Sequence, residues 1–591
     1  MEIQAVDAES FYFNFVYVHI YLFYRTFVAV QYSAYRHFVH SFMSSFADFK
    51  ALLALLPGVL MFIPMIAAAV QPSLPARRFW MLVQRLCVLA ATVSLISLGL
   101  RFTTPAATSS AELVILPGLA VGLPGAWFGA LVQCLGAVIA GFSSRYLDGE
   151  RGQAGYAAAL SAVLATVQLL TLADNWIVLI AAWAATGFAL NRLLCFYGDR
   201  PFAVLAAHKK FLADRLADLC LIGAAWLAYR ATGSFSISTL LHHAATDGVN
   251  IDLQLCALLL TLAVAIRTAM LPVHGWLIQV MEAPTPVSAL LHAGVVNLGG
   301  FIVIRFAPLF DAAAPAHALL AAVGLATAVL AGFVSLTRIS IKVRLAWSTL
   351  AQMGFMLLEC GVGLYHMAAL HLIGHSLYKA HAFLSSGAAV RQARLNAMRE
   401  PWQPAAWSLA LAPVLSVVLG IVLAHALASI APPLAMRDWP VWWSLILALA
   451  WAPMLWVPSA GMTYSASARR IVLGGLLFAC LLVLSFAGHA ITLGAPSAPH
   501  ALLGQIACAG MAVLYAGTAL MQVPRGRQWL EPWRRRSYAG FYLDEAYTRL
   551  ALRLWPAQLP VSGKSPKNQL GIKPGTAVPT ARAGQTYKSL S

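Results

Sequence analysis

Apolar runs close to twenty residues long recur about fifteen times along this chain, and that repetition constrains the fold more than any single motif. A helix of about twenty residues crosses the hydrocarbon core of a bilayer, where every backbone polar group must be satisfied within the protein. The runs fall near residues 51–70, 82–101, 113–142, 154–172, 174–196, 211–230, 252–270, 286–309, 316–336, 343–363, 366–390, 405–429, 440–457, 468–490 and 501–522. Only 10% of the 591 residues are charged and 60% are hydrophobic, where soluble proteins carry about 25% charged residues. The expected fold class is all-α: a polytopic membrane protein with about 15 transmembrane helices.

The net charge of +18 raises the question of nucleic-acid binding, but the basic residues sit in the short connections instead of one patch interleaved with aromatics. One set of connections carries Arg77, Arg78, Arg145, Arg151, Arg200, Lys209, Lys210, Arg338, Lys342, Arg391, Arg394, Arg399, Arg469, Arg470, Arg525 and Arg527. The alternate set holds little beyond Arg101, Arg230, Arg305 and Arg437. The positive-inside rule then places the first set and the C-terminus in the cytoplasm of a bacterial cell with the chain in its inner membrane, and excludes nucleic acid as a partner. The eight cysteines are isolated in apolar runs without a CxxC pair, so neither zinc nor disulfide chemistry is expected of this chain.

Four regions are expected: an aromatic N-terminal extension at 1–50, a membrane domain at 51–522, a cytoplasmic basic and amphipathic segment at 523–555, and a disordered tail at 556–591. The first of these has two readings, an upstream artefact of a start nearer Met43 or an additional interfacial helix; it lacks the basic start and small-residue cleavage site of a signal peptide. The run Phe541–Trp555 repeats apolar residues at helical spacing. It is expected to lie on the membrane or on a partner, presenting Asp544, Glu545, Arg549 and Arg553.

Ionisable residues at membrane depth are expensive and mark ion paths. Residues 267–292 place Arg267, Glu282, Pro284, Thr285, Pro286 and His292 in apolar surroundings. The Pro-Thr-Pro turn removes backbone donors and is expected to break a helix, and Glu282 is expected to find a charge partner. In HLIGHSLYKAH, His371, His375 and Lys379 recur at every fourth position, which stacks them along one helix face with about 6 Å per step. Both residue types exchange protons near neutrality in suitable surroundings, so the trio reads as a proton relay, the alternative being hydrogen bonding across a helix interface. His381 falls off that face. Arg215 and Asp218, three residues apart, can form a neutralising ion pair. Glu359, near the end of its run, is expected to snorkel to the surface. Gly299 and Gly300 are expected to permit close helix packing.

The motifs LPVHGWL, MEAPTPVSALLHA, SIKVRLAWSTLAQMGFM and HLIGHSLYKAHAFLSSGA resemble those of the proton-translocating antiporter-like subunits of respiratory complex I and of Mrp sodium/proton antiporters. That resemblance implies two inverted five-helix repeats with broken helices near mid-membrane. The tail GFYLDEAYTRLALRLWP and the overall length resemble most the DabB family of membrane subunits, which work with DabA in two-component inorganic-carbon pumps. The family implies a transport subunit, not an enzyme. Protons or sodium ions conducted by it would drive CO2 hydration to bicarbonate in a DabA-like partner, a soluble zinc protein similar to β-carbonic anhydrases. The rival expectations are a proton-pumping subunit of NADH-quinone oxidoreductase and an Mrp antiporter subunit. Against them, the glutamate that those families carry after Trp in the fifth span aligns with Ala184, and its lysine partner aligns with Arg267, which cannot release its proton. The twelfth-span lysine has no counterpart, only His425 nearby, and the resemblance does not include the lateral helix of the complex I subunit.

Overall fold

The computed structural model describes residues 49–71, 75–102, 113–387, 395, 403–430, 439–459, 464–490 and 499–556. Almost all of the expected N-terminal extension and tail, together with Arg391, Arg394, Arg399 and Arg437, lie outside the described residues. The chain opens with α1 (Phe49–Val70) and α2 (Ala76–Phe102). A two-stranded ribbon follows, β1 (Leu113–Leu116) paired antiparallel with β2 (Leu119–Val121). This corrects the continuous run expected at 113–142. Pro117 and Gly118 occupy the central positions of the turn, and Gly118 takes a φ of 83°, a left-handed conformation that glycine adopts without a Cβ penalty.

Three spanning helices come next, α3 (Leu123–Tyr146), α4 (Gln153–Leu172) and α5 (Trp176–Leu194). The long α6 (Pro201–Thr232) starts with proline in its first turn and ends at Gly233 with a φ of 68°, the proline-first, glycine-last asymmetry of helix ends. The short α7 (Ile237–Thr246) and then α8 (Ile251–Arg267) precede an interruption. At the interruption Ala269 has a φ of 60° and the Leu271–Pro272 bond is cis.

The chain resumes as α9 (Gly275–Gln279), a 3-10 turn, and α10 (Thr285–Ala293). Pro284 caps α10 and Pro286 lies in its first turn, where a missing N–H costs nothing. The Pro-Thr-Pro sequence therefore lies at the end of the expected break: the chain leaves the helix at 268–274 and is non-helical again at Ala283–Pro284, and α10 begins at Thr285. A second irregularity at Gly294–Asn297 joins α10 to α11 (Leu298–Arg305). After α12 (Ala307–Ala312) come α13 (Ala314–Thr337), α14 (Ile341–Gly361) and α15 (Tyr365–Leu384). The remaining spanning elements are α16 (Ala406–Ile430), α17 (Val441–Trp451), α18 (Tyr464–Ala490) and α19 (Ala501–Leu520). Short helices α20 (Pro524–Trp529), α21 (Glu531–Tyr538) and α22 (Glu545–Leu554) close the described chain.

Ten helical segments among the described residues are long and apolar enough to cross a membrane. Five expected segments fall short of that test: α6, α8, α14, α15 and α17. Helices α8 and α17 are short, with 17 and 11 residues, while α6, α14 and α15 carry most of the ionisable residues. The most deeply placed segment is Thr285–Arg305, 94% buried, whereas α19 is 17% buried. The centre is thus α10–α11, with α15 packed along α10, α14 beside α15, and α6 beside α8.

Between membrane helices lipid supplies no hydrophobic drive, so close contact comes from small residues. A Cβ on Gly354 would lie 2.6 Å from the Ala328 nitrogen, and one on Gly324 would lie 2.6 Å from the Leu358 nitrogen. Only glycine lets α13 and α14 approach this closely. A Cβ on Gly299 would lie 2.2 Å from Thr268 Cγ2, whereas one on Gly300 would meet the flexible end of Met356.

Hydrogen bonds tie the connections into two faces. One joins Asp174 to Gly118, Trp176 to Phe235, and His500 to Val362. The other joins Lys342 to Thr285, Arg200 to the Glu282 carbonyl, and Lys209 to Asp544, and gathers Arg338, Arg534 and Arg535.

Candidate functional site

Two groups of ionisable side chains flank the centre. The first lies on α6 and faces α8. Asp218 bonds to Arg267 through one carboxylate oxygen and to Arg215, at 2.7 Å, through the other. The Arg267 guanidinium also donates to the Trp183 carbonyl at 2.9 Å and lies 4.8 Å over the Trp183 ring. One turn earlier Lys210 pairs with Asp214, whose carboxylate fits against α5 because residue 187 is glycine: a Cβ there would sit 2.6 Å from Asp214 Oδ2. Just before Lys210 in the same helix, the buried Lys209 meets both oxygens of Asp544, at 2.7 and 2.5 Å, and Thr548 Oγ1 at 2.9 Å. Each of these cations has a carboxylate, which is what makes charge tolerable in a low-dielectric interior.

Asp544 was expected on a surface offered to a partner. It is instead an internal ligand, packed so closely on the interrupted helix that a Cβ on Gly275 would lie 1.7 Å from its Oδ1. Tyr547 donates to the Lys209 carbonyl and Trp555 stacks on His208 at 5.0 Å, so one face of α22 is committed to α6. Its other face leaves Glu545, Arg549 and Arg553 exposed, alongside Leu550 and Leu554.

The second group runs along α15. His371 Nδ1 lies 2.8 Å from Glu359 Oε2, and its Nε2 lies 2.8 Å from Gln352 Oε1. Two oxygens around one ring suit a doubly protonated imidazolium, and rotating the Gln352 amide would suit the neutral ring, so the pocket accommodates either state. Glu359 is buried and paired here, which corrects the expectation that it snorkels to the surface.

One turn on, the His375 ring lies 6.2 Å from that of His371, and neither of its nitrogens meets a protein partner. His292, reaching in from the last turn of α10, stacks on Phe383 at 4.6 Å and likewise has both nitrogens buried without a protein partner. Such groups are normally satisfied by ordered water, and leaving one unsatisfied costs about 1–3 kcal/mol. Lys379, fully buried, donates to Ser348 and, at 3.1 Å, to the Leu345 carbonyl of α14. Both acceptors are neutral. Asn297 bridges the Ala293 carbonyl at 2.8 Å and Ser376 at 2.7 Å, which pins the α10–α11 joint to α15 beside His375.

Of the residues singled out in the sequence, His292, His371, His375 and Lys379 come together on one track, and Arg215, Asp218 and Arg267 on another. Glu282 joins neither: its side chain is exposed and Arg267 is served by Asp218. His381 and His425 are exposed, and His425 Nδ1 lies 2.8 Å from the Ile421 carbonyl. Sequence reasoning missed the Lys210–Asp214 pair, although its four-residue spacing was visible. It also missed an outer cluster in which Tyr365 donates to Asp311 at 2.9 Å and His317 stacks edge-on with His500 at 4.3 Å.

Residues 173–462 match the family model described as NADH:quinone oxidoreductase/Mrp antiporter, transmembrane. The chain is 39% identical over 433 residues, 73% of its length and 82% of the relative's, to a protein of Hydrogenovibrio crunogenus named "Probable inorganic carbon transporter subunit DabB". It is also 39% identical over 458 residues to the DabB2 subunit of the same description in Halothiobacillus neapolitanus, covering 75% of this chain and 81% of that one. Among solved structures it superimposes on a chain of the Mrp complex from a Dietzia species with a TM-score of 0.54 at 23% identity, covering 85% of this chain and 60% of that one. That likeness is one of fold.

Proposed function

The chain belongs to the DabB family within the NADH:quinone oxidoreductase/Mrp antiporter superfamily, and from that premise we propose that it is the membrane subunit of an energy-coupled inorganic-carbon transporter. Protons, or sodium ions in their place, move along the α15 track and drive CO2 hydration in a DabA-like zinc partner; this chain supplies the ion path and no active site. The observation that carries the proposal is the row His371, His375, Lys379 with His292, half-buried at His371 and buried at the other three, in which two rings have no protein hydrogen-bond partner and the lysine has only neutral ones. Water bridging those nitrogens would give a continuous route for proton hopping, with Glu359 and Gln352 at one end and Ser348 at the other. The α6 cluster, where arginine replaces a releasable proton donor, sets the local field instead of relaying.

The face bearing Arg200, Arg338, Lys342 and the C-terminal helices is cytoplasmic in a bacterial inner membrane by the positive-inside rule. There the exposed side of α22, with Glu545, Arg549, Arg553, Leu550 and Leu554, receives the partner. Co-expression with a DabA-like protein in a host lacking carbonic anhydrase tests the whole reading. Growth in air should be restored by the wild type and lost with Lys379→Ala or His375→Ala at equal membrane abundance. Sodium/proton exchange with no dependence on inorganic carbon would favour the Mrp-type alternative.

A further inference from the structure

Helix α21 lies across the ends of α13 and α19 and roofs an apolar groove of about 310 Å³. Its walls are Phe333 and Thr337 from α13, Gly517 and Leu520 from α19, Trp533 from the roof and Phe541 from the turn that follows it. The helix pair closes tightly beneath, where a Cβ on Gly517 would lie 2.4 Å from the Phe333 ring. The volume suits a chain of about ten water-sized groups.

The roof is far from neutral. Arg534 forms part of the groove lining, and α21 sets Arg534, Arg535 and Arg536 against the single carboxylate of Glu531. Glu531 accepts from Arg534 at 2.6 and 3.0 Å and from Arg535 at 3.2 Å. Those two guanidiniums hold its carboxyl down at about 2, so it stays ionised and orients them side by side. The helix carries an excess of positive charge, with Arg534 in the groove lining and Arg535 and Arg536 exposed on the same helix. Trp529 and Trp533, 89% and 54% exposed, flank it as tryptophans do at a membrane–water boundary.

We propose that this groove is a binding site for an anionic glycerophospholipid, one acyl chain lying between α13 and α19 beneath α21 and the phosphate held by the arginines of α21. A zwitterionic lipid would fill the slot as well, but only an anionic headgroup answers the excess charge. The proposal is independent of ion conduction.

The full chain is reconstituted in nanodiscs of equal phosphatidylglycerol and phosphatidylcholine, released into detergent, and its retained lipid is identified by native mass spectrometry. The wild type should retain phosphatidylglycerol in about tenfold preference, in line with one or two basic side chains at a lipid surface. Arg535→Gln with Arg536→Gln should bring the preference close to unity with an unchanged melting temperature. Ala516→Phe, which narrows the groove, should lower the retained amount of either lipid. Equal retention of the two lipids by the wild type, no retained lipid because a segment of this chain fills the slot, or retention indifferent to both variants would each overturn the proposal.

Discussion

The two ionisable groups flanking α10 differ in how their charge is answered. Around α6, Lys209, Lys210 and Arg215, with Arg267 from α8, face Asp544, Asp214 and Asp218, and each cation has a carboxylate within bonding distance. Along α15, Glu359 of α14 serves His371, while His375 and Lys379, with His292 of α10, are buried with neutral hydrogen-bond partners or none from the protein. Both groups sit inside a helix bundle, so both are costly to assemble. Pairing fixes charges in place, and each removal then leaves an uncompensated ion. A row of unpaired titratable groups leaves the proton free to change owner. The first arrangement suits a fixed field, the second a conductor.

The sharpest way to break that contrast is Asp218→Asn, which strips the shared carboxylate from Arg215 and Arg267. Removing one partner of a buried ion pair costs about 3–5 kcal/mol, so the purified chain should show a lowered melting temperature and poor yield. An unchanged melting temperature would mean that this group is no more structural than the α15 row. A smaller loss is expected from Gly275→Ala, whose methyl would displace Asp544 from Lys209. That should cost about 1–3 kcal/mol and expose 545–555 to limited proteolysis. Unaltered cleavage would dissociate the C-terminal helix from the break in the membrane helix.

Glu359→Gln keeps a hydrogen-bonding group beside His371 but removes its counter-charge. Ion flux should fall about tenfold, equivalent to roughly 1.4 kcal/mol, with little change in stability. A large loss of stability instead would place this pair with the α6 type. The smallest effect is expected from Arg267→Lys. An ammonium can hold Asp218 or the Trp183 carbonyl but not both as the guanidinium does. Flux should stay near wild type, with stability reduced by about 1 kcal/mol for the lost bond.

The helical fold was legible because apolar run length reports membrane helices directly, and the row on α15 was legible because a four-residue spacing fixes a helix face. Leu113–Val121 was not: its residues are apolar throughout, so the ribbon is hidden from a hydropathy reading, and only Pro117–Gly118 signals the turn. Partner choice was the other blind spot. Glu282 stands near Arg267 in sequence, yet the carboxylate that reaches Arg267 comes from a residue 49 positions away, and Lys209 is paired across 335 positions. Nothing local to Glu359 shows that His371, on the following helix, turns toward it. Charge within one helix can be read from spacing; charge between helices depends on packing that one sequence does not display.

The most direct test of the proposed conducting row is proton flux into proteoliposomes carrying the full chain with a co-expressed DabA-like protein, driven by an imposed membrane potential and read with an internal pH dye. Wild-type and Arg267→Lys vesicles should acidify at similar rates, and His375→Ala and Lys379→Ala vesicles at least tenfold more slowly, with all four proteins equally folded. Equal acidification by the His375 and Lys379 variants would contradict a proton route along α15.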